Sequence, residues 1–214
     1  MLKKSGITLR IVILICITVC SLCAVITAVG ARMIYSYTEI GVKNEIQTAA
    51  RTLKKLYDYE FIINDQDAEI VHRDSSQVMT LADFSKLTEL VDCSDDIDFT
   101  LFRNDIRVFT SVKNSDGSAA VGTKADADVA ENVINKGQEY FNRKVMVNGQ
   151  YYAGCYIPVS SSDGSTVGMC FAGKPLNAAS KNATTAVSAF VTISLLVLVV
   201  SLSVSILYLR TITS

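Results

Sequence analysis

The chain has 214 residues, with 20 Lys and Arg, 21 Asp and Glu, and a single histidine, for a net charge of −1. Half of it is hydrophobic, and the charge is segregated along the chain rather than mixed. One histidine, no glycine-rich phosphate loop, no nucleophile motif and no Cys/His metal spacing leave nothing to support catalysis, a metal or a cofactor.

Residues 11–31 and 182–209 contain no charged residue. Each run meets the ~20 residues that an α-helix needs to cross a bilayer. The expected layout is a cytoplasmic N-terminus at 1–10, a first transmembrane helix at 11–32, an outer domain at 33–181, a second transmembrane helix at 182–209 and a cytoplasmic stub at 210–214. All 21 acidic residues lie between Glu39 and Asp163, whereas outside residues 32–182 the only charges are Lys3, Lys4, Arg10 and Arg210. Short basic flanks stay in the cytoplasm and a long loop is translocated largely regardless of its charge. Both termini are therefore expected inside and the domain outside. The domain is net acidic, with 15 basic and 21 acidic residues over 33–182, which argues against nucleic acid as a partner. A cleaved signal peptide is the competing reading of the first segment. Its apolar run exceeds the 7–15 residues of a signal core, which favours a retained anchor.

Cys16, Cys20 and Cys23 share one helical face of the first span, as a helix–helix contact or simply as small apolar residues. The domain has Cys93, Cys155 and Cys170, an odd number that cannot be fully paired internally. Cys155 and Cys170 fall on neighbouring predicted strands, either bridged or as free buried thiols.

Beyond the first span a stalk helix is expected over 33–58. Val42, Ile46, Ala49, Leu53 and Leu56 recur at spacings of 4, 3, 4 and 3, the heptad period. Such a stripe packs on a second copy of the chain, on the domain's own sheet, or on each along different parts of its length. Residues 59–97 show no clean period except a short helix near 81–91. His72 reads as an exposed loop residue, and the acidic run from Asp92 to Asp98 as a solvated loop.

From Asp98 onward the pattern becomes strands and turns. Strands are expected at 99–103 and 106–112, split by Asn104-Asp105. A helix follows with Asp128 and Glu131 at capping-box spacing and Gly137 as its stop. Strands at 140–147 and 150–159 flank Asn148-Gly149, the strongest short-range hairpin signal. Ser162-Asp163-Gly164 leads to a last strand at 166–173. About five antiparallel strands with segregated helices make an α+β domain.

Thr100, Phe102, Asp105, Arg107 and Thr110 fall at a spacing that resembles the opening motif of single Cache sensor domains. Asp116-Gly117, Val121-Gly122-Thr123, Gly137 with Tyr140, Tyr152 with Tyr156 and Pro158, and Asp163-Gly164 with Gly168, Met169 and Gly173 continue the resemblance in order. It spans about 98–175; the part before 98 matches only in layout. It implies a PAS-like antiparallel sheet with a small-ligand pocket, as in the outer domains of bacterial methyl-accepting chemotaxis proteins, sensor kinases and diguanylate cyclases. The expected function is a transmembrane sensor in the bacterial plasma membrane, with a protein-interaction module lacking a small ligand as the alternative. Residues 209–213 resemble the start of a HAMP linker, and a cytoplasmic output segment is missing from this chain.

A small organic anion or amino acid is the ligand class that the resemblance implies. Recognising a carboxylate takes a fixed planar cation and hydroxyls. Arg107 is the first candidate, with Thr110 three residues on. Tyr152 and Tyr156 share a strand face by period-2 alternation. Arg103 and Tyr140 complete the expected set. Ala24 with Ala28 and Ser201 with Ser205 are small pairs that permit close helix approach, as in a homodimer with a four-helix membrane bundle.

Overall fold

Continuous burial along three strands builds the domain, because a strand that hides both faces must have a layer packed on each. The computed structural model describes residues 2–64, 69–91, 93–161 and 164–213. Asp92 of the acidic run, and Ser162 and Asp163 of the last predicted turn, lie outside the described residues. The chain divides into two units, Met1–Glu39 with Ser180–Ser214, and Ile40–Ala179.

The first unit holds parts of two long helices, α1 (Leu2–Glu60) and α4 (Leu176–Thr213). Both are long and apolar enough to cross a membrane, with mean hydropathy of 2.6 and 2.7 in their most apolar stretches. Cys20, Cys23, Ala24 and Ala28 line a crevice with Val191, Ser194 and Leu198. Two cysteines of the stripe, Cys20 and Cys23, thus line the crevice between the two helices.

The second unit is built on a five-stranded antiparallel sheet in the order β4-β3-β7-β6-β5. Its strands are β3 (Asp98–Arg103), β4 (Ile106–Thr110), β5 (Tyr140–Val147), β6 (Gln150–Ser160) and β7 (Thr166–Pro175). The fold is the expected α+β arrangement, with a long N-terminal helix and a C-terminal apolar helix. Asn148 and Gly149 turn β5 into β6 with φ of 48° and 82°, the double left-handed geometry that Asn-Gly supplies at least strain.

One face of the sheet presents Phe99, Leu101, Cys155, Cys170 and Ala172 to α1, where Ile46, Ala49, Ala50, Leu53 and Tyr57 are buried. The heptad stripe thus closes the domain's own core: Ile46, Ala49 and Leu53 are buried in it, and Val42 and Leu56 pack against it. Cys155 and Cys170 are free thiols. Cys155 is paired with Ala172 and Cys170 with Ile157, so the two lie diagonally, beyond the separation a disulfide needs. The other face carries Phe102, Val145, Tyr152, Tyr156, Met169 and Phe171, and is covered by Val112, Ala120, Val129 and Val133 from the segment between β4 and β5.

Several local expectations are corrected. Residues 59–97 contain a small antiparallel pair, β1 (Phe61–Ile63) and β2 (Ile70–His72), whose three-residue strands are too short to show alternation. His72 is no loop residue: its ring lies 4.4 Å from that of Phe61 and its Nε2 3.5 Å from Asp83 Oδ2. Helix α2 (Leu81–Glu89) opens with a capping box between Thr80 and Asp83. Helix α3 (Ala127–Ala130) is capped by Asp126, not through Asp128 and Glu131, and runs on into a π-helical turn, Glu131–Asn135. Glu131 accepts from Asn135 Nδ2 at 2.7 Å instead of reaching back to the cap.

Gly154 and Gly173 stand opposite each other on β6 and β7. A Cβ at Gly154 would lie 2.5 Å from the Phe171 ring, and one at Gly173 2.2 Å from it. Phe171 is fully buried and has no room to retreat. Gly154→Ala and Gly173→Ala are each expected to lower unfolding free energy by about 1–3 kcal/mol in denaturant titration, as overpacking does. Gly41→Ala on α1, where a Cβ meets nothing within 4 Å, is expected to be neutral or to stabilise by up to about 1 kcal/mol.

The Thr80 hydroxyl and amide hold the Asp83 carboxyl below its usual range, with His72 adding to the effect. A carboxyl that is more acidic when folded contributes stability above its unfolded pKa, and that contribution is lost as pH falls through the folded value. The thermal midpoint is expected to drop on acidification below about pH 4, and to drop less in Asp83→Asn.

Candidate functional site

The covered face of the sheet gathers most of the polar groups expected from the sequence. Arg107 on β4 is paired with Phe102 on β3, so the two side chains share that face. The guanidinium carbon lies 5.0 Å from the Phe102 ring centroid. The Phe102 ring also packs on Tyr156, with centroids 6.2 Å apart, and Tyr156 packs on Phe171 at 4.7 Å. Tyr152 flanks Phe171 at 6.4 Å. Four aromatic rings and a cation are therefore contiguous on one sheet face.

Backbone and side chain both hold Arg107. Its N–H donates to Thr123 O at 3.0 Å, and its carbonyl accepts from Gly122 N at 2.8 Å. Gly122 makes this approach with φ of 81°, a conformation that glycine adopts without a Cβ penalty. Arg107 Nη1 donates to Thr123 Oγ1 at 2.6 Å and to Lys124 O at 3.3 Å. Both acceptors are neutral. Arg107 is only 3% exposed and makes no ion pair among the described residues. Its Nε is buried without a hydrogen-bond partner, as is the Tyr156 hydroxyl. Burial lowers the Arg107 pKa and raises those of Tyr156 and Tyr152. At neutral pH the two phenols are protonated and can donate, beside a guanidinium that remains cationic.

The other expected residues are placed differently. Thr110 is buried on the same face, but its hydroxyl is engaged with Thr100 Oγ1 at 2.7 Å and accepts from Val112 N at 3.1 Å. Tyr140 is half-buried beside the cluster, paired with Tyr156 across the strands, and its hydroxyl accepts from Asn142 at 3.4 Å. Arg103 is exposed and alternates to the opposite side of the sheet from Phe102. Tyr152 OH donates to Asp98 Oδ2 at 2.8 Å, and Asp98 Oδ1 accepts from Ser111 at 2.8 Å. Asp98 therefore belongs to the sheet and not to a solvated acidic loop.

Sequence reasoning did not single out Phe102, Phe171, Thr123 or Asp98 as parts of this site. Phe171 had a signal in the glycines opposite each other on its flanks. Thr123 had one in its place directly after Gly122. On the opposite face Cys155 is pushed up to about 12 by burial, with Glu139 adding to the shift, which makes it an inert structural thiol.

The family described as single Cache domain 3 matches residues 76–186, slightly more than half of the chain. Among solved structures, the periplasmic sensory domain of the Campylobacter jejuni chemoreceptor Tlp1 is similar at 10% identity and a TM-score of 0.48, covering 73% of this chain. This chain spans 61% of that one. A domain of an HTR-like protein from Haloarcula marismortui is similar at 17% identity and a TM-score of 0.27, covering 38% of this chain and 98% of its own. No curated protein matches. The ordered motifs from Thr100 to Gly173, the sheet they form and the family match lead to one assignment: the chain belongs to the single Cache domain 3 family.

Proposed function

We propose that the protein is a membrane-anchored sensor whose outer domain binds a small organic anion on the Arg107 face and signals through its second apolar helix. The observation that carries this reading is a buried guanidinium whose hydrogen-bond partners are all neutral. Buried charges are ordinarily paired, since an isolated ion away from water is strongly disfavoured. A carboxylate meeting Arg107 Nε, with the Tyr156 hydroxyl as a second donor, satisfies the two unpartnered polar atoms together. A single cation with phenols suits a small ligand of low charge, a monocarboxylate or amino acid in preference to a tricarboxylate. The charge asymmetry of the sequence supports an outer domain with both termini in the cytoplasm of a bacterial cell. The small-residue pairs of the apolar segments support a homodimer.

The test is thermal unfolding of the full chain in detergent, against a panel of small carboxylates and amino acids. A ligand at about 100 times its Kd adds about 2.7 kcal/mol and raises the midpoint visibly. Tyr156→Phe removes an unpartnered hydroxyl, so the unliganded midpoint is expected to hold or rise, while the loss of a bond to a charged group weakens ligand binding about 10- to 100-fold. Arg107→Lys, which keeps the charge and loses the planar donor set, is expected to abolish the shift. Silence across the panel turns the reading towards a protein-binding module.

A further inference from the structure

Arg107 and Lys174 are the two buried cations among the described residues, at 3% and 5% exposure. Their surroundings are opposite in kind. Lys174 stands near the end of β7, two residues before α4 begins. Its Nζ lies 2.7 Å from Asp96 Oδ1, 3.3 Å from Glu45 Oε2 and 3.4 Å from Ser94 Oγ. The Ser94 hydroxyl also donates to Glu45 Oε1. Burial alone would depress the Lys174 ammonium, but Asp96 and Glu45 more than offset it and raise its pKa. Three elements meet here: Glu45 is on α1, Asp96 and Ser94 are in the segment leading into β3, and Lys174 is on β7.

The position in the chain matters as much as the chemistry. Helix α1 is continuous with the first apolar segment, and β7 passes directly into α4. Glu45 and Lys174 thus join the two stretches of chain that enter and leave the domain. A buried ammonium with both carboxylates in place is stable, whereas one that loses its partners without reaching water is strongly disfavoured. Half-open arrangements are therefore disfavoured against two others, all partners engaged or the strand end moved out with Lys174 hydrated. In the closed state Gly173 pairs with Asp98, and Lys174 with Ala153.

We propose that Lys174, Glu45 and Asp96 form an ionic lock that pins the end of β7 to α1 and opens as a local unit while the rest of the sheet stays folded. Its part in signal transmission rests on the sensor reading above; the lock itself does not. The test is hydrogen exchange, read by mass spectrometry, of the full chain in lipid nanodiscs without ligand, so that failure of the lock and failure of the ligand reading are separate results. Lys174→Glu places a third acid at the junction. It is expected to speed amide exchange over residues 172–177 about tenfold or more, with residues 99–102 and 155–159 unchanged, as a sub-global opening does. Exchanging the charges with the third acid neutralised, Glu45→Lys and Lys174→Glu together with Asp96→Asn, is expected to restore slow exchange over 172–177. Unchanged exchange at 172–177, faster exchange throughout the sheet, or no restoration by the charge exchange each overturns the lock. Should Lys174→Glu not fold, Asp96→Asn, which leaves Lys174 its Glu45 partner, is expected to speed exchange several-fold at the same amides alone. Wild-type rates in that variant overturn the lock equally.

Discussion

The structure depends on burying β7 on both faces at once. From Gly168 to Lys174 every residue of this strand is buried, and it lies between β3 and β6 in the sheet. Its odd and even positions serve different layers. Cys170 and Ala172 meet the core under α1, while Met169 and Phe171 form part of the aromatic face beside Arg107. Close-packed interiors transmit displacement with little loss. A shift of β7 on one face is therefore felt on the other.

The two buried cations show how the same physical problem receives two solutions. Lys174 is neutralised by carboxylates of its own chain, at 2.7 and 3.3 Å. Arg107 is positioned by a threonine hydroxyl, a carbonyl and an aromatic ring, none of which removes its charge. The first arrangement is complete within the domain and has a structural character. The second positions a planar cation without saturating it, the feature on which the proposed anion site rests.

Much of the architecture was legible because it follows from period. The alternation that put Tyr152 and Tyr156 on one side, the Asn148-Gly149 turn and the stripe from Val42 to Leu56 all record local rules that the tertiary fold does not override. The stripe recorded the buried face of α1 but not the identity of the surface it meets, since a heptad pattern serves a sheet as well as a partner helix. The acidic run is a solvated loop only in part, at Ser94 and Asp95, for a related reason. Composition alone marks Asp96 and Asp98 as solvated, but Asp96 answers Lys174 some 80 residues away in the chain, and Asp98 answers Tyr152 across 54 residues. Long-range pairing of this kind leaves no trace in a local window. The Asp126 cap escaped because Asp128 and Glu131 match the i, i+3 capping-box spacing, whereas Asp126 has Val129 at that position.

Phe171 lies over two glycines that face each other across β6 and β7, each within 2.5 Å of the ring for any added Cβ. Positions 154, 171 and 173 therefore form one volume shared by three residues. Descent with modification must treat them as a unit: a branched or small side chain at 171 releases both glycines from their constraint, and a side chain at either glycine requires the aromatic ring to be surrendered. Related chains should trade bulk among these three positions while the sum stays fixed, and such compensated trades would re-contour the aromatic wall next to Arg107 without disturbing the strand pairing beneath it.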